Sequence, residues 1–155
     1  MIRSEKLFVF LLCVYVATGC SFSMKYGEEL DLRKFHRSGT PNDWMACTRN
    51  MCMENANIDL PIYAVSKQKL IKTTSSLITK KPRTKLLRYV PKLDQLIFVQ
   101  RSKFFRFPDT IWVQFLEVEN GTSLIMYSRS NYGYYDFGVN KKRVEAWIGS
   151  IKAAL

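Results

Sequence analysis

The sequence predicts an α+β domain in which two helices cover one face of an antiparallel sheet. Apolar residues recur at helical spacing within residues 66–80, alternate as in β-strands within residues 85–130, and form a second helical stripe at the end of the chain. Hydrophobic residues make up 47 % of the chain and aromatic residues 14 %, which is enough to bury a core. A chain of 155 residues has room for a single core of this kind.

The first predicted helix covers residues 66–80 and ends before Pro82. Its inward face carries Thr74 and four apolar residues, Leu70, Ile71, Leu77 and Ile78. Strands are predicted over Lys85–Val90, Gln95–Arg101, Thr110–Glu119 and Thr122–Ser130. Asn120-Gly121 is a two-residue turn typical of a hairpin between the last two strands, so the strands form an antiparallel meander.

The last predicted helix begins at Asn140, a residue type that commonly caps helix N-termini. Its apolar stripe consists of Val144, Trp147, Ile148, Ile151 and Leu155. We therefore expect a sheet of about four or more strands, with this amphipathic C-terminal helix and the earlier helix packed on one face.

The N-terminus has the layout of a secretory signal. A charged stretch, Met1–Lys6, precedes an apolar run, Leu7–Val16, and the small residues Ala17-Thr18-Gly19 precede Cys20. As a helix, the stretch from Leu7 to Gly19 would reach only ~20 Å, short of a ~30 Å hydrocarbon core. Small residues followed directly by cysteine resemble the bacterial lipobox, in which the cysteine is diacylated. Ordinary signal cleavage after Gly19 is the alternative.

These features predict three parts of the chain and a location. Residues 1–19 are a lipoprotein-type signal peptide, residues 20–40 are a tether, and residues 41–155 are one α+β domain. With lipidation at Cys20, the protein is expected on the periplasmic side of the bacterial cell envelope, anchored in a membrane.

The chain carries a formal net charge of +11, which favours contact with polyanions. Because the chain is predicted to be exported, nucleic acid is not an expected partner. Anionic lipid, lipopolysaccharide and acidic cell-wall polymers are the expected counter-charges. A lysine surplus that only keeps the surface soluble is the alternative interpretation. The identity of any protein partner is left open.

Cysteine use agrees with export. Cys13 lies in the signal and Cys20 is the predicted lipid site, which leaves Cys47 and Cys52 to form a disulfide. A zinc site is the alternative, but it would need further ligands, and His36 is the only histidine. Neither a metal nor a cofactor is predicted.

Several motifs of the second half of the chain fit together. They are Arg101-Ser102, Phe105-Arg106-Phe107-Pro108-Asp109, Tyr127-Ser128-Arg129-Ser130, Tyr132-Gly133 and Asp136–Val144. With Thr40-Pro41-Asn42-Asp43 and the two cysteines upstream, they resemble the bacterial family catalogued as domain of unknown function 1499. The resemblance covers Thr40 to Leu155. It implies one domain and no established activity.

The same motifs place polar residues near predicted strand ends. The candidate site residues are Arg101, Arg106, Asp109, Arg129, Asp136, Asn140, Lys141 and Arg143. Arg129, Lys141 and Arg143 could form an anion pocket with the helix N-terminus. Alternatively, Asp136 or Asp109 pairs with an arginine and holds the corner between strand and helix.

An aromatic cluster accompanies these residues: Tyr127, Tyr132, Tyr134, Tyr135 and Phe137. We interpret it as core and cross-strand packing rather than as the lining of a sugar or lipid pocket. Because His36 lies in the predicted tether, a Ser-His-Asp arrangement is not favoured, and no catalytic residue is assigned. The leading hypothesis is a non-catalytic, envelope-associated binding domain. An envelope enzyme with its site at the Arg129–Arg143 corner and a carrier of a hydrophobic ligand are the alternatives.

Overall fold

The structure, a computed structural model, describes residues 26–54 and 56–155. The predicted signal peptide and Cys20 lie outside the described residues. A 3-10 turn at Pro91–Leu93 connects the strands Thr84–Val90 and Gln95–Arg101. The strands and helices follow the order β1 (Asp43–Thr48), β2 (Ile58–Leu60), α1 (Lys67–Thr79), β3 (Thr84–Val90), β4 (Gln95–Arg101), β5 (Pro108–Val118), β6 (Gly121–Ser130) and α2 (Val139–Ala153).

The strands form one six-stranded sheet with the order β2-β1-β6-β5-β4-β3. Strands β3 to β6 are the expected antiparallel meander, because each pairs with its neighbour along the chain. Strand β1 then adds antiparallel to β6, and β2 lies parallel to β1. The fold is therefore α+β, as predicted, but its sheet is mixed rather than purely antiparallel.

The sequence patterns did not reveal β1 and β2. Residues 43–48 carry no alternation of polar and apolar residues because both sides of β1 are mostly buried. Strand β2 has only three residues. A disulfide joins Cys47 in β1 to Cys52 in the following loop. The Asn57 backbone N–H donates to the Met45 carbonyl at 2.8 Å, which brings the chain back alongside β1.

Both helices pack on the same face of the sheet, as the sequence predicts. Leu70 and Ile78 of α1 and Trp147 and Ile151 of α2 belong to one buried cluster with the inward residues of the sheet. Helix α1 begins after Ser66, whose hydroxyl accepts a hydrogen bond from the Lys69 backbone N–H at 3.3 Å.

The second face of the sheet is covered by the chain that precedes β1. Leu32 is fully buried there, and its backbone N–H donates to Gln114 Oε1 at 2.7 Å. The indole N–H of Trp112 donates to the Glu28 carbonyl at 2.6 Å, and Arg88 donates to the Gly27 carbonyl at 2.7 Å. This part of the predicted 20–40 tether is thus packed on the domain. The reason is that the outward residues of the meander are apolar and need a cover.

The hairpin between β5 and β6 is shifted by one residue from the expected turn. Val118 pairs with Gly121, so Glu119 and Asn120 form the two-residue turn and Gly121 begins β6. A Cβ on Gly121 would lie 2.1 Å from the Tyr63 carbonyl oxygen, so only glycine fits there. Tyr63 in turn exchanges two backbone hydrogen bonds with Thr122, each of 2.9 Å.

Candidate functional site

The candidate site residues gather at one end of the sheet. Strands β4 and β6 finish at this end and β1, β3 and β5 begin there, as the pairs Arg101–Pro108, Asp109–Ser130 and Asp43–Arg129 show. Two loops project from it, residues 102–107 between β4 and β5 and residues 131–138 between β6 and α2. We call this region, with the first turn of α2, the loop end.

Arg143 lies in a buried polar network on the helix side of the loop end. Its Nη2 is 2.6 Å from Asp109 Oδ2, and the two side chains are only 4 % and 10 % exposed. Its Nε donates to Gln100 Oε1 at 2.6 Å, and its Nη1 donates to Ser128 Oγ at 2.9 Å and also to Asn140 Oδ1. Every nitrogen of this guanidinium therefore has an acceptor, and the group joins β4, β5 and β6 to α2.

Asp136 accepts hydrogen bonds from backbone N–H groups that would otherwise lack a partner at the N-terminus of α2. Its carboxylate accepts hydrogen bonds from the backbone N–H groups of Gly138 at 2.9 Å and Asn140 at 2.7 Å. The cap position is Gly138, and Asn140 lies within the first turn, so the expected cap at Asn140 is wrong. Asn140 is instead fully buried, and its Nδ2 donates to the Asn42 carbonyl at 2.8 Å. The carboxylate of Asp136 thus takes the place that a bound anion would have at this helix end.

Arg129 lies on the opposite face of the sheet from Arg143. Side chains along β6 alternate between the two faces of the sheet. The hydroxyl of Ser128 contacts Arg143 and Asn140, which shows that Ser128 lies on the face covered by α2. Arg129 therefore faces the N-terminal segment, where it lines a groove with residues 34–38. The structure does not bring Arg129 and Arg143 into one pocket.

Beside Arg129, a buried carboxylate is shared by two donors. Tyr127 donates from its hydroxyl to Asp43 Oδ2 at 2.8 Å, and Arg37 donates from Nε to Asp43 Oδ1 at 3.1 Å. The Asp43 side chain is 1 % exposed. Burial and the neighbouring Asp43 carboxylate raise the pKa of Tyr127 above its ordinary value, so the hydroxyl stays protonated and continues to donate.

The two loops of the loop end expose an aromatic surface, which we call the aromatic edge. Its residues are Phe104, Phe105, Phe107, Tyr132, Tyr134, Tyr135 and Phe137, each between 54 % and 83 % exposed. The rings of Phe105 and Phe107 stack with centroids 5.6 Å apart, and Phe107 lies 6.2 Å from Tyr132 of the other loop. The two loops thus form one continuous surface.

The loop of residues 102–107 has internal support. The Ser102 backbone N–H donates to the Phe107 carbonyl at 2.9 Å, and the Phe107 N–H donates to Ser102 Oγ at 3.0 Å. Arg101 donates from Nη1 to the Arg106 carbonyl at 3.0 Å, and Arg106 has a positive φ of 59°. These bonds hold the phenylalanines outward instead of letting them turn onto the core.

Basic residues lie beside the aromatic edge. Lys103 lies 5.3 Å from the ring centre of Phe104, and Lys141 lies 5.3 Å from that of Trp44. Within residues 101–107 and 131–142 the sequence has one acidic residue, Asp136, and its carboxylate caps α2. The loop end is therefore both aromatic and basic.

Of the aromatic cluster that the sequence predicted to be core, only Tyr127 is buried. Tyr127 is fully buried, with its ring 5.6 Å from that of Trp112, whereas Tyr132, Tyr134 and Tyr135 are exposed. The sequence does contain a signal for this difference. Tyr127 ends the continuous apolar run Leu124–Tyr127 within a predicted strand, whereas residues 131–138 lie outside the predicted strands and include Gly133 and Gly138.

Within residues 26–54 and 56–155, no three side chains of the types that ligate metals lie close enough together to hold an ion. The helices of the same residues are all too short or too polar to cross a membrane.

One mixed sheet, two helices on one face and a polar brace at the loop end define a small α+β domain with an exposed aromatic edge. The chain belongs to the family described as "protein of unknown function (DUF1499)", whose model matches residues 38–151. No curated protein and no solved structure matches the chain. The matched range begins after Arg37, so most of the segment that covers the second face of the sheet precedes it.

Proposed function

We propose that the chain is an exported lipoprotein whose domain docks, without catalysis, on the anionic membrane that holds its Cys20 anchor. The observation that carries this proposal is the aromatic edge with its surrounding cations. Aromatic rings are the side chains favoured at membrane–water interfaces. Each nearby lysine or arginine adds about 1 kcal/mol of attraction to an anionic leaflet.

The exposure of the aromatic edge is the reason to assign it a partner. A soluble domain exposes single apolar residues commonly, but a contiguous aromatic surface on supported loops marks an interaction site. A rim of lysine and arginine matches the phosphate groups of a membrane. The proposal places the domain on the periplasmic face of a bacterial membrane.

The segment between Cys20 and Tyr26 is short, which supports close contact of the domain with that membrane. Six peptide units separate Cys20 from Tyr26, and they reach at most ~20 Å. Gly27 is held by Arg88 of β3, four residues from Thr84 at the loop end, a distance of ~13 Å along a strand. A lipid on Cys20 can therefore insert in the same plane as the aromatic edge. A connection this short keeps the domain on the membrane surface.

The test uses the mature chain, residues 20–155, with Cys20→Ser, so that binding depends neither on the anchor nor on the apolar run of the signal peptide. Its affinity is measured by sedimentation with vesicles of phosphatidylethanolamine and phosphatidylglycerol, and with phosphatidylcholine vesicles. We expect binding to the anionic vesicles, weakened as salt shortens the Debye length below about 10 Å. Phe105→Ser with Phe137→Ser should weaken it at least about tenfold, because two rings lose their apolar contact.

The matched control is Met53→Ser with Ile62→Ser, which removes two exposed apolar residues from other parts of the domain. This control should bind the vesicles like the parent chain. No binding by the parent chain, or equal losses in the two pairs of variants, would contradict the proposal.

A further inference from the structure

The groove beside Arg129 is the feature of the loop end that the docking surface does not use. It is lined by Lys34, Phe35, His36, Arg37, Ser38 and Arg129. The Phe35 ring forms part of its wall and lies 4.9 Å from the Tyr127 ring. We call it the Arg129 groove.

Positive charge exceeds negative charge in the Arg129 groove. Asp43, directly opposite Arg129 in the β1–β6 ladder, uses both carboxylate oxygens, one for Tyr127 and one for Arg37. Glu54 is engaged at the rim, 2.8 Å from His36 Nδ1. The guanidinium of Arg129 forms no hydrogen bond or ion pair with any of the residues that the structure describes. An arginine in this position offers a planar fork of donors to an anion.

The groove opens close to the aromatic edge. Arg129 is followed by Ser130, whose N–H donates to the Asn42 carbonyl at 3.1 Å. The side-chain amide of Asn42 donates to the Gly133 carbonyl at 2.6 Å, in the loop that carries Tyr132 and Tyr134. A membrane that meets the aromatic edge therefore also comes within reach of the groove.

We propose that the Arg129 groove binds the phosphate of an anionic phospholipid headgroup. Arginine binds phosphate through two parallel hydrogen bonds, and Lys34, which also lines the groove, adds positive charge beside it. The ring of Phe35 contributes an apolar wall beside the phosphate, which suits the glycerol portion of a lipid. This inference rests on the proposed membrane docking and names the group that is recognised there.

The test measures thermal unfolding of the mature Cys20→Ser chain, residues 20–155, with inorganic phosphate, with glycerophosphoglycerol and with acetate, all at one ionic strength. Glycerophosphoglycerol is the soluble headgroup of phosphatidylglycerol. Both phosphate compounds should raise the melting temperature more than acetate does. Arg129→Gln should lose this difference, Arg129→Lys should keep part of it, and the exposed control Lys72→Gln should keep all of it. Affinity for phosphatidylglycerol vesicles should fall about tenfold in Arg129→Gln.

The outcomes separate this inference from the docking proposal. If Arg129→Gln responds to both phosphate compounds like the parent chain, the groove is not a phosphate site. Protection by inorganic phosphate but not by glycerophosphoglycerol overturns the lipid headgroup and assigns free phosphate. The Phe105→Ser, Phe137→Ser variant should keep the response to soluble headgroup. If that variant also keeps its vesicle binding, the docking proposal fails while the groove stands.

Discussion

Arg129 and Arg143 differ in what surrounds their guanidinium groups. Arg143 is buried and contacts Asp109, Gln100, Ser128 and Asn140, so its charge is compensated inside the protein. Arg129 is half-buried on the other face and faces a groove with further cations. The first arrangement stabilises the fold, and the second leaves donors for a ligand.

Removing the charge of Arg143 should be costly for stability. Arg143→Gln leaves the buried Asp109 carboxylate without its partner, and we expect a loss of about 3 kcal/mol in the free energy of unfolding. Lys142→Gln, an exposed neighbour on the same helix, should change it by less than about 0.5 kcal/mol. Urea unfolding of both variants measures the difference. Equal stability of Arg143→Gln and the parent chain would show that the network does not brace the loop end.

At the scale of elements, the segment before β1 acts as a cover for the second face of the sheet. Leu32 fills that face, and Gln95 and Gln114 reach up from β4 and β5 to the segment's backbone. Asp31 lies in this segment and pairs with Arg33 at 2.7 Å. It also accepts a hydrogen bond from Gln114 at 3.2 Å, so its ionised form helps to hold the cover in place.

The stability of this cover should depend on acid pH. The hydrogen bond from Arg33 lowers the pKa of Asp31 from 3.8 to about 2. A carboxyl group with a lower pKa in the folded chain stabilises the fold above its unfolded pKa, and this stabilisation is lost as pH falls through the folded pKa. The free energy of unfolding should therefore decline between pH 3.8 and about pH 2, and Asp31→Asn should remove part of that decline.

Urea unfolding from pH 5 to pH 2 measures the effect, with ~0.5 pH unit between measurements. Asp59→Asn is the control, because Asp59 pairs with Arg49 at an exposed surface and should contribute little. A constant difference between Asp31→Asn and the parent chain across this range would contradict the prediction.

At the scale of the whole molecule, the packing of the segment before β1 on the sheet governs how the domain sits. The chain is already held on the sheet at Gly27, whose carbonyl accepts a hydrogen bond from Arg88. An anchor at Cys20 would thus hold the domain directly at the membrane instead of at the end of a long tether. The aromatic edge and the Arg129 groove lie at one end of the molecule, so both can face the same surface.

The anchor itself is tested in cells. In a bacterial host the parent chain should incorporate a fatty-acid probe and fractionate with membranes, because Cys20 follows small residues as in a lipobox. Cys20→Ser should lose the label completely and appear in the soluble fraction after a high-salt wash. Cys13→Ser, in the apolar part of the signal, should leave both properties unchanged. An unlabelled parent chain would contradict lipidation.

Local patterns account for much of the fold. The meander, both helices and the Cys47–Cys52 disulfide follow from periodicity, turn residues and cysteine placement, each of which is carried by neighbouring residues. The family resemblance agrees with the matched range of residues 38–151. Strand β1 escaped prediction because burial on both sides removes alternation. The start of α2 was misplaced because Asn140 is a residue type that commonly caps helices. The cap is instead Gly138, and the side chain of Asn140 is engaged in buried contacts that only the tertiary structure reveals.

The sequence by itself determined the α+β class, the packing of both helices on one face of the sheet, and the set of polar residues at the loop end. Tertiary structure decided which of those residues meet. Arg129 and Arg143 are fourteen positions apart in the sequence. The path of α2 across the sheet places Arg143 against Asp109. The alternation of side chains along β6 directs Arg129 to the opposite face of the sheet. Exposure of the aromatic edge was decided in the same way. An aromatic side chain is apolar wherever it lies, and whether it is core or surface depends on what packs above it.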